Sequence, residues 1–252
     1  APLYKERDKT YAGIKKELSP YGVCGLDFKE LEADEKKYVK KCFKEQILPV
    51  LSPQIVDSSH PFPHLMNKDI YVTANLKHIN SRKNKDDKEK EQILGIVPVP
   101  TYVSDILMLP GHDIRYIRME KVIMEYLDLV FDQYEVSDPN YICVTRNADV
   151  SPDDEALEVT DDFRKLMQST LHKRRRMAVV RLETAEKLTP EMQEYFCKKF
   201  KITPEQIFRT KMPMKLDYMF SIAGNLPESM KKALVYEPFS PQKSAHVQDG
   251  NM

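Results

Sequence analysis

The stretch "DIYVTANLK" at residues 69–77 alternates apolar and polar side chains without a break. Its apolar members are Ile70, Val72, Ala74 and Leu76. Because side chains of an extended chain point to opposite faces in turn, this pattern predicts a half-buried β-strand. A second strand is predicted at residues 93–100, "ILGIVPVP", where Pro98 and Pro100 end the strand or place it at a sheet edge.

The charged stretch "HINSRKNKDDKEKEQ" at residues 78–92 separates these two strands. It is too charged to be buried, so we expect an exposed hairpin tip. Three further short strands are predicted at residues 113–118, 141–145 and 178–182. Helical patterns alternate with the later strands, which predicts β-α-β connections and therefore parallel pairing of strands 141–145 and 178–182.

Helical segments precede and follow these strands. Residues 3–18 and a second segment from Asp34 to Pro49 are predicted to form an N-terminal helical hairpin. Thr189 and Pro190 are typical of an N-cap and a first helical position. The other predicted helices span residues 119–134, 158–175, 190–200, 215–222 and 227–234. This order predicts an α+β fold, in which a mixed β-sheet is covered by helices and preceded by the hairpin.

The balance of charges limits the functions that the chain can have. The 252 residues include 39 Lys and Arg against 39 Asp and Glu, whereas a protein that coats nucleic acid is usually basic overall. The four cysteines form no CxxC pair, and the seven glycines form neither GxGxxG nor a P-loop motif. No stretch approaches the ~20 apolar residues of a membrane span. An anion site would therefore be a local patch.

The most basic local patch is "LHKRRRMAVVRLE" at residues 171–183. Its first cations end a predicted helix, where positive charge complements the helix dipole. Arg181 lies inside the following strand and needs a partner if it is partly buried. Glu183, on the same strand face, is one candidate partner, and an anionic ligand is the other. The arginines that end the predicted helix are Arg174, Arg175 and Arg176.

Arg146, in "VTRNAD", is a second candidate for anion binding. At the exit of a buried strand, it can bind an anion above the sheet or tie the loop to a neighbouring carboxylate. If strands 141–145 and 178–182 are parallel, Arg146 lies at the opposite edge of the sheet from Arg174–Arg176. One small ligand would not reach both sets, whereas a long polymer would.

Other polar clusters fit structural roles better than catalysis. His60 and His64 are four residues apart, but Pro61 and Pro63 exclude the helix that would bring both to one metal ion. The acidic stretch 149–162 lies before and within the start of a predicted helix, where negative charge is favourable without a metal. We therefore predict no catalytic residue and no metal site in this chain.

Five motifs follow one another along the chain: "HPFPHLMNKDIYVTANL", "LMLPG", "MEKVIMEYLDLVF", "VTRNAD" and "RRRMAVVRLE". Their order and spacing closely resemble the middle, or head, domain of the bacterial polyphosphate kinase family. The resemblance extends from the first helix to "YEPFS", so it covers nearly the whole chain. We therefore expect the chain to be a head-domain fragment of a longer enzyme.

The resemblance implies an enzyme that transfers the terminal phosphate of ATP reversibly onto a polyphosphate chain. In the family, a histidine of the C-terminal half is phosphorylated with the help of Mg²⁺. None of the six histidines here stands in that motif, so we expect the fragment alone to be inactive. ATP and Mg²⁺ are then cofactors of the parent enzyme, and none is expected on this fragment. We expect a cytoplasmic location, because scattered single cysteines suit a reducing cytosol. Membrane association of the full-length enzyme is the alternative.

Head domains of the family meet in a homodimer or larger assembly and help wall the polyphosphate path. The arginines predicted to bind polyphosphate are Arg146, Arg174, Arg175, Arg176 and Arg181. Arginine forks match phosphate oxygens, and the patch lacks the aromatic platforms typical of single-stranded nucleic-acid sites. Nucleic acid is therefore not the expected partner. Alternative functions are a dimerisation scaffold without a ligand and a nucleic-acid-binding module.

The predicted organisation has three parts. Residues 1–52 form the helical hairpin packed on the head domain, residues 53–240 form the head domain, and residues 241–252 lead toward the catalytic half. Loops with exposed apolar groups often mark interfaces. We expect such groups at Phe62, Met108 and Leu109.

Overall fold

Two β-sheets form the frame of the protein. The computed structural model describes residues 2–79, 93–111, 113–147, 164, 177–237 and 239–241. The strands are β1 (Val23–Leu26), β2 (Gln54–Val56), β3 (Ile70–His78), β4 (Ile93–Pro98), β5 (Ile106–Met108), β6 (Ile114–Arg118), β7 (Tyr134–Arg146), β8 (Val179–Thr184) and β9 (Ile207–Arg209). The large sheet has the order β2-β4-β3-β7-β8-β9, and the small sheet has the order β1-β6-β5. Among the strands of the described residues, only β1–β6 and β8–β9 are parallel pairs. Both sheets are therefore mixed, and the predicted α+β class is confirmed.

Helices cover these sheets. They are α1 (Pro2–Leu18), α2 (Ala33–Cys42), α3 (Met119–Glu125), α4 (Leu127–Val130), α5 (Pro190–Phe200), α6 (Tyr218–Asn225) and α7 (Glu228–Leu234). The predicted start of α5 is confirmed, since Thr189 Oγ1 accepts a hydrogen bond from the Met192 N–H at 3.3 Å. None of the helices in the described ranges is both long and apolar enough to cross a membrane.

Both faces of the central strands are buried. On one face of the large sheet, Val72 belongs to a cluster with Phe43 and Val122 of the helical layer. On the opposite face, Tyr71 belongs to a cluster with Phe196 of α5. The prediction of a half-buried strand at residues 69–77 is therefore wrong, because helices pack on both faces of the sheet. The tyrosine ring supplies apolar surface that the alternation alone assigned to solvent.

The predicted hairpin of β3 and β4 is confirmed as an antiparallel pair, with Thr73 opposite Ile96. Pro98 ends β4, as expected, but β4 lies inside the sheet because β2 covers its other side. Of the tip predicted at residues 78–92, His78 belongs to β3 and residues 80–92 lie outside the described residues. So do the predicted helix at residues 158–175, apart from Arg164, and the acidic stretch before it.

Strand β1 is a feature that the sequence pattern did not predict. It lies between α1 and α2 and pairs in parallel with β6, with Val23 opposite Ile114. Helix α1 packs against β9 of the large sheet, where the Tyr4 ring stacks on the Phe208 ring at 4.7 Å between centroids. The helical N-terminal region is therefore joined to both sheets. The division at residue 52 stays a prediction.

Strands β7 and β8 are antiparallel, so the predicted parallel pairing is wrong. Thr145 lies opposite Arg181, and Arg146 opposite Val179 after a bulge. A helical pattern between two strands does not fix their direction, since a long connection permits either. Strand β7 is also longer than predicted. The sequence pattern missed its first half because that half is mostly exposed and polar and contains Asp138 with a φ of +49°.

Candidate functional site

Arg181 projects from β8 on the sheet face that is covered by α1. Its Nε and Nη2 atoms both donate to Thr145 Oγ1, at 3.1 and 2.9 Å. Nη2 also lies 3.6 Å from Glu183 Oε2. The side chain is 37% exposed, and its Nη1 atom has no hydrogen-bond partner among the described residues. The guanidinium is thus held along one edge and open along the other.

Glu183 is a buried carboxylate that several donors share. Its Oε1 atom accepts a hydrogen bond from Tyr4 Oη at 3.0 Å and from Arg7 Nη1 at 3.3 Å. Burial, and then the charge of Glu183, raise the pKa of the Tyr4 hydroxyl, which therefore remains a donor. The predicted contact between Arg181 and Glu183 is present, but Arg181 is the most distant of the three partners. A buried carboxylate with this many donors fixes the position of Arg181 without fully neutralising it.

Arg7 is a site residue that the sequence analysis missed. Its Nη2 atom donates to Thr210 Oγ1 at 2.6 Å, and its guanidinium carbon lies 4.3 Å from the centre of the Tyr4 ring. The available signal was the three-residue spacing of Tyr4 and Arg7, which places both on one face of a helix. That spacing does not reveal that Arg7 pairs with Glu183, which lies 176 positions further along the chain.

Arg146 is bound mainly by backbone carbonyl groups. Its Nε and Nη2 atoms donate to the Leu65 carbonyl at 3.0 and 2.8 Å, and Nη1 donates to the Met177 carbonyl at 2.7 Å. Nη2 also lies 3.5 Å from His64 Nδ1. Burial lowers the pKa of Arg146. Through these bonds, Arg146 ties the loop at Leu65 to Met177, just before β8. Because its Nε–Nη2 edge is occupied, few of its guanidinium N–H groups remain for a ligand.

The antiparallel pairing changes the predicted layout of the site. The C-terminal end of β7, at Arg146, lies beside the N-terminal end of β8, at Val179. The expectation that Arg146 and the start of β8 occupy opposite edges is therefore wrong. Arg174, Arg175 and Arg176 lie outside the described residues, but they precede Met177 directly in the chain.

His60 and His64, the two histidines four residues apart, contact different residues. His60 Nδ1 lies 2.9 Å from Asp57 Oδ1, which also accepts hydrogen bonds from the Ser59 and His60 N–H groups. His64 lies beside Arg146. Across the described ranges, no group of three His, Cys, Asp or Glu side chains is placed to hold a metal ion.

The apolar groups expected at an interface are buried to different degrees. Leu109 is 5% exposed, so the expectation of an exposed side chain is wrong there. Phe62 and Met108 are partly buried: Phe62 packs against Tyr195 and Phe200, and Met108 packs against the cluster of the small sheet. Large apolar side chains are exposed elsewhere, at Tyr102, Phe220, Tyr236 and Phe239.

Comparison with known proteins places this architecture in a family. A family model described as "Polyphosphate kinase middle domain" matches residues 34–222. The polyphosphate kinase of Bacillus anthracis is 29% identical over 231 residues, which cover 90% of this chain and 32% of that protein. The enzyme of Halalkalibacterium halodurans is 30% identical over 228 residues, or 89% of this chain and 31% of that protein.

A solved structure agrees with these sequence matches. The crystal structure of the polyphosphate kinase from Porphyromonas gingivalis superposes with a TM-score of 0.66 at 23% identity, over 97% of this chain and 34% of that one. The chain thus spans about a third of the length of its relatives. It belongs to the polyphosphate kinase family, in the region that the family model describes as the middle domain.

Proposed function

We propose that this chain is the head-domain part of a cytoplasmic polyphosphate kinase and that it guides polyphosphate rather than catalysing phosphate transfer. The parent enzyme would transfer the terminal phosphate of ATP to polyphosphate, with Mg²⁺ as its cofactor. The transfer itself would take place in the other two-thirds of the enzyme. Family membership supports the reaction, and the half-open guanidinium of Arg181 is the observation that supports the role of this part.

Arg181 suits a chain of phosphates for three reasons. Thr145 and Glu183 hold one edge of its guanidinium, so little side-chain entropy is lost when a ligand binds. The Nη1 group offers two N–H donors toward solvent. Hydrogen bonds from a charged donor to phosphate oxygens are shorter and stronger than neutral ones. The side chain is therefore oriented before the ligand arrives.

The other predicted arginines would extend this contact. Arg146 would act mainly as a positioning residue, because it pins the Leu65 loop beside the start of β8. Arg174, Arg175 and Arg176 would contact the same polymer, since they directly precede Met177 in the chain and the Met177 carbonyl binds Arg146. Because β7 and β8 are antiparallel, a shorter stretch of polyphosphate would reach all of these arginines than in the predicted parallel arrangement. We keep all five arginines in the proposed path.

We also propose that copies of the chain associate as a homodimer or larger assembly. The exposed rings of Phe220, Tyr236 and Phe239 support this, since association would remove their apolar surface from water. In this proposal, residues 1–52 form the helical part packed on the head domain, residues 53–240 form the head, and residues 241–252 lead to the catalytic part.

A salt series with long-chain polyphosphate tests the role of Arg181. The affinity of the wild type should fall steeply with ionic strength, and Arg181→Gln should weaken binding and reduce the slope of log K against log salt by about one unit. Lys77→Gln is the matched control, because Lys77 pairs with Glu135 near the start of β7, at the other end from Arg146. The control should bind like the wild type.

Two results would contradict the proposal. If Arg181→Gln binds polyphosphate like the wild type at every salt concentration but unfolds more readily, Arg181 is only a structural partner of Glu183. If single-stranded RNA of equal charge competes better than polyphosphate, the chain is a nucleic-acid-binding module.

A further inference from the structure

A second cluster of cations lies away from Arg181, around a cavity of about 190 Å³ between α1 and the small sheet. Four cationic and two acidic side chains line it: Lys15, Arg118, Lys121, Lys211, Asp8 and Asp27. Lys15 and Asp8 come from α1, Asp27 follows β1, and Arg118 and Lys121 span the junction of β6 and α3. Four separate parts of the chain therefore bring charge to one cavity.

Both carboxylates of the cavity already have partners. Asp8 accepts hydrogen bonds from the Lys211 N–H at 3.0 Å, the Met212 N–H at 3.1 Å and the Thr210 hydroxyl at 3.0 Å. Asp27 forms an ion pair with Lys121. Asp27 is thereby neutralised, whereas the donors to Asp8 are uncharged and keep that carboxylate ionised. With four cationic side chains against these two carboxylates, the lining is positively charged overall.

Arg118 lines the cavity and is paired with a buried carboxylate, Glu120. Its Nη1 atom lies 2.5 Å from Glu120 Oε1, and Nη2 donates to Tyr141 Oη at 3.2 Å. The side chain is buried, and these two contacts fix its position in the lining. Two tyrosines add polar hydroxyls to the lining: Tyr11, whose Oη lies 2.8 Å from Tyr218 Oη, and Tyr116.

Lys15 and Lys211 carry the remaining positive charge. Both are exposed, and neither ammonium group has an ion-pair partner within 4 Å in the part of the chain that the structure describes. Asp8 supplies one negative charge against these two ammonium groups. A multivalent oxyanion would balance the remaining positive charge, and lysine binds phosphate as a point charge.

We propose that this cavity binds a small phosphate-type oxyanion, with Lys15 and Lys211 as its main ligands and Lys121 and Arg118 behind them. The site shares no residue with the Arg181 path, so it does not depend on the proposed function. An apolar ligand does not fit a lining of six charged groups. The phosphate can be free, the end of a polyphosphate chain or the phosphates of a nucleotide, because all three present the same oxygens.

Calorimetric titration of the full chain with pyrophosphate tests the site. We expect saturable one-to-one binding that weakens about tenfold in Lys15→Gln and again in Lys211→Gln, the loss of one charge-assisted contact in each case. Lys16→Gln is the matched control, since Lys16 neighbours Lys15 on α1 but does not line the cavity. Arg181→Gln should also bind pyrophosphate like the wild type, which separates this site from the polyphosphate path.

Parallel titrations identify the source of the phosphate. Orthophosphate, tripolyphosphate, ADP and adenosine are compared, and binding by any of the first three that both lysine variants weaken supports the site. The proposal is overturned if pyrophosphate, orthophosphate, tripolyphosphate and ADP all fail to saturate the protein. It is equally overturned if adenosine binds as tightly as ADP, or if the lysine variants bind like Lys16→Gln while their thermal midpoints match the wild type.

Discussion

Two arginines of this chain stand two positions before a glutamate, and the fold surrounds them differently. Arg118 and Glu120 are 9% and 6% exposed, and their closest atoms lie 2.5 Å apart. Arg181 and Glu183 are 37% and 6% exposed, at 3.6 Å. The first pair is closed on itself, whereas the second shares its glutamate with Arg7 and leaves part of the arginine open.

The difference shows that sequence spacing does not determine what an ion pair does. Arg118 ends β6 and Glu120 lies in the first turn of α3, so the bend of the chain brings them together away from solvent. Arg181 and Glu183 lie on one strand face, where a helix from the start of the chain covers the glutamate and not the whole arginine. The first pair mainly stabilises the fold, whereas the second leaves part of its guanidinium accessible to a ligand.

The largest expected effect separates the two pairs most clearly. Arg118→Met should destabilise the protein by about 3–5 kcal/mol, because Glu120 is then buried without its cation. The double variant Arg118→Met with Glu120→Met should recover most of this loss, since apolar side chains can replace a buried ion pair. Urea unfolding measures both. A single variant that costs less than the double one would show that Glu120 finds another partner.

Removing the extra partner of the half-open pair should have a smaller effect. Arg7→Gln loses charge-assisted contacts with Glu183 and Thr210, and we expect a cost of about 1–2 kcal/mol. Glu183 is then free to pair more closely with Arg181, so affinity for polyphosphate should also fall. Lys5→Gln, on the exposed side of α1, is the control. Unchanged affinity in Arg7→Gln would mean that Glu183 does not govern Arg181.

Asp8, which receives its hydrogen bonds from the backbone, gives a pH-dependent test. Burial alone would raise its pKa, but the Lys211 and Met212 N–H groups and the Thr210 hydroxyl together hold the pKa below its ordinary value. A carboxyl with a depressed folded pKa contributes stability that is present above its unfolded pKa and is lost as the pH falls through the folded value. The stability difference between wild type and Asp8→Asn should therefore be constant near neutral pH and shrink below about pH 4. A difference that does not change with pH would exclude this contribution.

An exposed pair should have the smallest effect. Lys77 and Glu135 lie 3.3 Å apart with side chains that are 70% and 64% exposed. Water and salt screen such pairs, so Lys77→Gln should change the unfolding free energy by less than about 0.5 kcal/mol. Unfolding at low and high salt checks this. A cost equal to that of Arg7→Gln would show that exposure does not rank these pairs.

The sequence alone determined those features that depend on neighbouring residues. The alternation at residues 70–76 led to β3, the apolar run after it led to β4, and Thr189 with Pro190 marked the start of α5. These signals are local, because strand and cap preferences act over a few residues. The motifs of the polyphosphate kinase family likewise lay in the sequence, and the family model matches residues 34–222.

Only the tertiary structure decided which elements meet. It set the antiparallel direction of β7 and β8, gave β1 a partner in β6, and buried the second face of β3 under α5. It also brought Arg7 to Glu183 across the length of the chain and closed Arg118 over Glu120. Contacts between distant residues depend on how layers pack and which charges lose water, and no local pattern contains that information.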